Sequence, residues 1–246
     1  MAVRAAAIVA GLAVAAAGAY AVARETAVFA VQTIQISGGS PRVQAEVRKA
    51  LAPELGRSLI AIGGTEIADR VDPIPDVVSI RFDRSFPHTL HVMVRAERAV
   101  LLLRQRRSSW VVSSRGRVMR QVRTPRRSSL PRLWLPAAVP VKVGEKLPAD
   151  DGSLAAAALA PIAPGAFRGG VRTVVSGADK LTLVLGTGAQ VRLGDLGDLR
   201  LKLTIARRIL TIANTAGAEQ PGSYVDVSVP ERPVLGSANS QVEGTA

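Results

Sequence analysis

The chain has 246 residues, a formal net charge of +13 and no cysteine. Disulfides, thiolate nucleophiles and cysteine-ligated metals are therefore excluded. Aromatic residues make up only 3%, so Val, Leu, Ile and Ala must fill any core. The length allows one large domain or two small ones.

The first element is an uncharged run at 5–22, 18 small and apolar residues long. As a helix it would cover roughly 27 Å, close to a hydrocarbon core of about 30 Å. It predicts a transmembrane helix at 5–22 behind a short cytoplasmic end at 1–4. Arg4 and Arg24 flank the run, and the α-amino group tips the balance toward a cytoplasmic N-terminus. The expected location is the inner (plasma) membrane, single-pass, with the bulk extracytoplasmic. The alternatives are a signal peptide cut after Ala21-Val22-Ala23 and a buried core helix.

The next unit spans 28–97. Residues 29–37 read as a strand with Ile34 and Ile36 on one face. After Gly38-Gly39, Ser40 and Pro41 suit a helix start. Val43, Val47, Ala50 and Leu51 then form an apolar stripe. A shorter helix carries Ile67 and Val71 inward and stops at Pro73. Two period-two strands follow, 77–82 and 89–97, joined by a short link that suits an antiparallel pair. The order is β-α-α-β-β, with two helices on one face of a three-stranded sheet.

Residues 98–235 are mostly strand. Candidates lie at 100–105, 110–113, 117–122, 171–176, 181–185 and 190–193, with helices at 154–160 and 198–213. The second helix has a polar stripe of Arg200, Thr204, Arg207, Arg208 and Thr211. A last strand runs over 224–229, and 236–246 reads as a disordered tail. The fold class expected is thus α+β: one N-terminal transmembrane helix, a β-α-α-β-β domain, and a mixed β-rich domain with a C-terminal helix and an edge strand.

Between Glu97 and Glu145 there is no acidic residue but there are twelve positive ones, from Arg98 to Lys142. The stretch from Arg104 to Arg132 could meet anionic lipid, acidic cell-wall polymer or an acidic partner. The plainer reading is a solvated face. Nucleic acid fits poorly, because aromatics are not interleaved with the arginines.

Little points to catalysis. His88 and His91 are the only histidines. Three residues apart beside a strand, they face opposite sides and cannot share a metal. No Ser sits in a G-x-S-x-G elbow, and no Gly-rich phosphate loop is present. Asp150-Asp151 reads as a solvated loop pair. No catalytic residue, cofactor site or metal site is assigned.

The order of elements resembles the FtsQ/DivIB family of bacterial cell division proteins. The residues at 31–38, VQTIQISG, look like the family's first POTRA strand. Phe86-Pro87-His88-Thr89-Leu90, followed by Val92, Val94, Glu97 and Arg98, is similar to its P-x-T-L-x-V-x-V-x-E-R run. Trp110-Val111-Val112 with Gly116-Arg117-Val118 resembles a family hairpin, although Ser114 and Arg115 stand where an Asp usually precedes the Gly. Leu130-Pro131, Leu193-Gly194, Lys202 and Tyr224-Val225-Asp226-Val227 continue the likeness.

The resemblance implies a POTRA domain at 28–97 and a non-catalytic, membrane-anchored divisome scaffold at the septum. It would bind FtsB/FtsL-like partners and help control septal peptidoglycan synthesis by an FtsW/FtsI-like pair. Family partner binding centres on the end of the β domain. The expected partner-binding residues are the strand Tyr224, Val225, Asp226, Val227, Ser228 and Val229, offered as a sheet edge for strand addition. Lys202, Arg207 and Arg208 would steer an acidic partner. The first or last POTRA strand offers a second edge. The alternatives are a POTRA-bearing export or assembly factor and an exported cell-wall polymer-binding protein.

Overall fold

The computed structural model describes residues 10–18, 20, 27–123, 128–148, 152–177, 180–216 and 221–237. The chain divides into two compact units, Met1–Glu97 and Arg98–Ala246. No described helix is long and apolar enough to cross a membrane. This overturns the expected transmembrane helix at 5–22 and the single-pass inner-membrane placement that rested on it. The described helical residues 10–18 cover roughly 14 Å, about half a hydrocarbon core. The run is built largely of Ala with glycines at 11 and 18. Such residues add little apolar surface, and Gly costs about 1 kcal/mol of helix propensity. Arg4, Arg24 and Ala21-Val22-Ala23 lie outside the described residues.

In the first unit, β1 (Thr33–Ser37), α1 (Pro41–Leu51), α2 (Gly64–Val71), β2 (Val77–Ser85) and β3 (Thr89–Ala96) follow in the β-α-α-β-β order. The sheet order is β1-β3-β2, with β1 parallel and β2 antiparallel to β3. The last strand is therefore central, and the edges are β1 and β2. A docking edge on β3 is ruled out. Gly38 must be glycine: a Cβ there would lie 2.2 Å from the Val94 carbonyl oxygen. Ser40 Oγ accepts the Val43 N–H at 3.4 Å and Pro41 opens α1. Both helices bury their stripes (Val43, Val47, Leu51; Ile67, Val71) against Leu90, Val92 and Val94 of β3.

Three carboxylates are buried in this unit: Glu54, Asp76 and Glu97. Glu54 is fully buried. It pairs with Arg57 Nη1 at 2.8 Å and Arg70 Nε at 2.6 Å. The Arg70 contact is ionic and is not aligned as a hydrogen bond. Arg57 also pairs with Glu66, and that bond holds the Glu66 carboxyl below its ordinary range.

The second unit is a nine-stranded sheet. Its strands are β4 (Ala99–Gln105), β5 (Ser108–Ser113), β6 (Val118–Val122), β7 (Arg132–Trp134), β8 (Val171–Val175), β9 (Leu181–Leu185), β10 (Gln190–Gly194), β11 (Ser223–Asp226) and β12 (Val234–Ser237). Their order is β12-β11-β10-β9-β8-β7-β4-β5-β6. β7 is parallel to both neighbours, and β10 is parallel to β11. α3 (Leu154–Leu159) and α4 (Leu199–Thr215) complete the unit. Ala155, Ala158, Leu203, Ala206 and Leu210 from these helices join Leu103, Leu183, Val191 and Val225 in one core. Leu102, Val111 and Met119 form a small cluster on the opposite face of β4–β6.

Two strands lie outside the expected set. β7 has three residues and β12 has four, too short for a period-two pattern to register. β12 also corrects the expected tail: Gly236 and Ser237 belong to it, and 238–246 lie outside the described residues.

Candidate functional site

The β12 end of the large sheet gathers most of the residues expected to bind a partner. The correction concerns which strand is the edge. β11 lies between β10, which it meets in parallel, and β12, which it meets antiparallel. Tyr224, Val225 and Asp226 are therefore interior strand residues. The edge is β12, which among the described residues has a strand on one side only.

The side chains of 224–229 do different jobs. Val225 and Val227 are 0% exposed and pack into the core with Leu203, Ala206 and Leu210 of α4. The Val227 N–H donates to Arg192 O at 2.9 Å, one residue past the β11 ladder. Asp226 ends the strand: its Oδ1 accepts the Ser228 N–H at 2.9 Å and the Ser228 hydroxyl at 2.7 Å. This local turn directs the chain out of the sheet. Val229 is exposed.

Tyr224 links three strands on the sheet's other face. The Arg192 guanidinium lies 3.8 Å from its ring centroid, a cation–π stack. On its other side stands Gly236 of β12, its cross-strand partner. A Cβ at Gly236 would come within 2.6 Å of the Tyr224 ring and hydroxyl. Glycine therefore lets β12 pass close beneath the ring.

β12 is apolar and open. Val234 is 51% and Leu235 47% exposed. A terminal strand offers alternate N–H and C=O groups to a further strand. Its shortness limits promiscuous pairing, while its exposed Val and Leu favour an apolar partner.

The three expected steering charges separate. Arg207 and Arg208 are exposed on α4. Lys202 is not a surface charge, being only 2% exposed. Its Nζ donates to Asp195 Oδ1 at 2.6 Å and lies 3.3 Å from Asp195 O. This bond, with the Gly197 N–H behind it, holds the Asp195 carboxyl below the ordinary aspartate range. Lys202 fastens the 195–198 turn to the start of α4, where Asp198 adopts φ 48°. The expectation that it steers a partner is replaced by this structural role. Sequence reasoning missed it because the partner lies ahead of the helix, not at i+3 or i+4.

The described arginines of the rich stretch have several local settings. Arg106 and Arg107 sit at the β4–β5 turn. Arg117 Nε donates to Gly144 O at 2.8 Å. The Arg104 guanidinium lies 4.4 Å from the ring centroid of exposed Trp134. Arg98 and Arg132 line a cleft described below. Pro125, Arg126 and Arg127 lie outside the described residues, as do Asp150 and Asp151. His88 Nδ1 lies 3.1 Å from Ala30 O, in a structural setting. No group of three metal-ligating side chains occurs among the described residues.

No family model matches the chain, and no curated protein matches it.

Proposed function

We propose that this chain is a non-catalytic scaffold that recruits a partner by strand addition at β12. The observation that carries the reading is the open, apolar end of the nine-stranded sheet, with Val234 and Leu235 half exposed on a terminal strand. Backbone bonds would supply affinity, and the alternate side chains would fix register. Arg207 and Arg208 on α4 lend positive charge, which favours an acidic partner and acts chiefly on association rate.

The sequence resemblance to FtsQ/DivIB proteins gives this partner a class. FtsB/FtsL-like division proteins would dock at the edge. Through them the scaffold would help control septal peptidoglycan synthesis by FtsW/FtsI-like synthases. The first unit, with its β-α-α-β-β order, would serve as the POTRA domain.

A pull-down of the full chain with soluble FtsB/FtsL-like coiled-coil segments tests this. Leu235→Asp is expected to leave the protein folded, since the side chain is half exposed, with stability changed by about 0.5 kcal/mol or less. It should weaken capture about tenfold or more by placing a charge in the new strand pair. Undiminished capture by folded Leu235→Asp would move the site away from β12. No capture by the unaltered chain would remove the division-scaffold reading.

A further inference from the structure

The middle of the large sheet contains a second site of different chemistry. β7 is only three residues long. It pairs with β4 at three positions but with β8 only at Arg132↔Thr173. Where the ladder stops, the starts of β4 and β8 frame a cleft of about 880 Å³, closed on another side by the segment after α3. That volume falls in the range of about 300–1,000 Å³ typical of small-molecule sites.

The lining is what selects a ligand. Arg98, Arg132 and Arg172 all border the cleft, and among the described residues none of the lining is acidic. The rest is largely apolar and small, with Val100, Leu130 and Phe167 among it. Arg98 Nη2 donates to the Ala160 carbonyl, which ties this guanidinium to the end of α3. The like charges of exposed Arg98 and Arg172 on one concavity repel one another. A bound anion relieves that repulsion and can take paired N–H donors from each planar fork. A purely electrostatic surface would not also present an apolar wall.

We propose that this cleft binds a small organic anion. Its phosphate or carboxylate oxygens would meet Arg98 and Arg172, and its apolar body would rest on Val100, Leu130 and Phe167. Three strands (β9, β10 and β11) separate β8 from the β12 edge, so the two sites are independently testable.

The test is calorimetric titration of the full chain with phenyl phosphate, benzoate and inorganic phosphate. Phenyl phosphate or benzoate should bind saturably, and about tenfold tighter than inorganic phosphate, because only they fill the apolar part. Whichever of the two binds tighter identifies the oxyanion. Arg98→Gln and Arg172→Gln should each weaken binding about tenfold, as expected for losing a charge-assisted hydrogen bond. Both residues are exposed, so these variants retain the fold. Arg48→Gln, on α1 of the first unit, should change nothing. Non-saturable binding, equal affinity for inorganic phosphate, or an equal loss in Arg48→Gln would overturn the proposal.

Discussion

The two ends of the nine-stranded sheet are treated differently by the same chain. At the β6 end, the following segment folds back along the edge. The Gly144 N–H donates to Val118 O at 2.8 Å, and the Val118 N–H donates to Glu145 O at 2.9 Å. An isolated bridge joins Arg117 to Lys146. At the β12 end, no described segment does this, and Val234 and Leu235 stay exposed. Exposed sheet edges invite association, and proteins usually cover, shorten or charge them. One edge here is covered and the other is merely shortened. Of the two edges, β12 is the one a further strand could pair with.

The contrast can be broken most forcefully from beneath. Val227→Asp buries an unpaired carboxylate at a site with no exposure. We expect a loss of about 4 kcal/mol or more and unfolding of the second unit, read by denaturant titration. Partner binding would be lost along with the fold, so this variant reports on the core and not on the edge. A milder break is Gly236→Val. Its side chain meets the Tyr224 ring at under 3 Å and should cost about 1–3 kcal/mol. Hydrogen exchange should quicken at β12 amides while those of β9 and β10 stay protected. Uniform quickening across the unit would show that β12 is integral to the core.

The smallest effect is a pH dependence near the same end. Lys202 holds the folded Asp195 carboxyl below its usual value. The stabilisation is therefore complete above the unfolded-state aspartate value of about 3.9. It is lost as the pH falls through the lower folded value. Lys202→Met should flatten that acid limb in a melting-temperature series. An unchanged acid limb would show that the pair contributes nothing to stability.

Much of the fold was legible where side chains repeat with a clear period. Val43, Val47 and Leu51 announced α1, and the alternation through Leu90, Val92 and Val94 announced β3. The Leu181–Leu185 strand appears with the expected bounds. Legibility failed where packing, and not pattern, makes the element. β7 is Arg-Leu-Trp between prolines, and only its two neighbours make it a strand. β12 contains a glycine and two exposed apolar residues, which reads as loop until Tyr224 is seen stacked against it. Because β12 was invisible, β11 was expected at the edge. The apolar run at 5–22 failed for another reason: it matches a span in length, but Ala and Gly give it little apolar surface. The cleft was beyond reach, because Arg98, Arg132 and Arg172 are distant in the chain and meet only through the sheet order.

The brevity of β7 has a mechanical side. The sheet is two half-sheets, β4–β6 and β8–β12, stitched by one short strand. A pull across the strands loads every seam in series, and the seam with fewest backbone bonds yields first. Among the strand pairings that seam is β7–β8, with its single register pair. Tension applied by anything fastened at β12 would be felt there, at the mouth of the arginine-lined cleft, some four strand spacings or roughly 19 Å away.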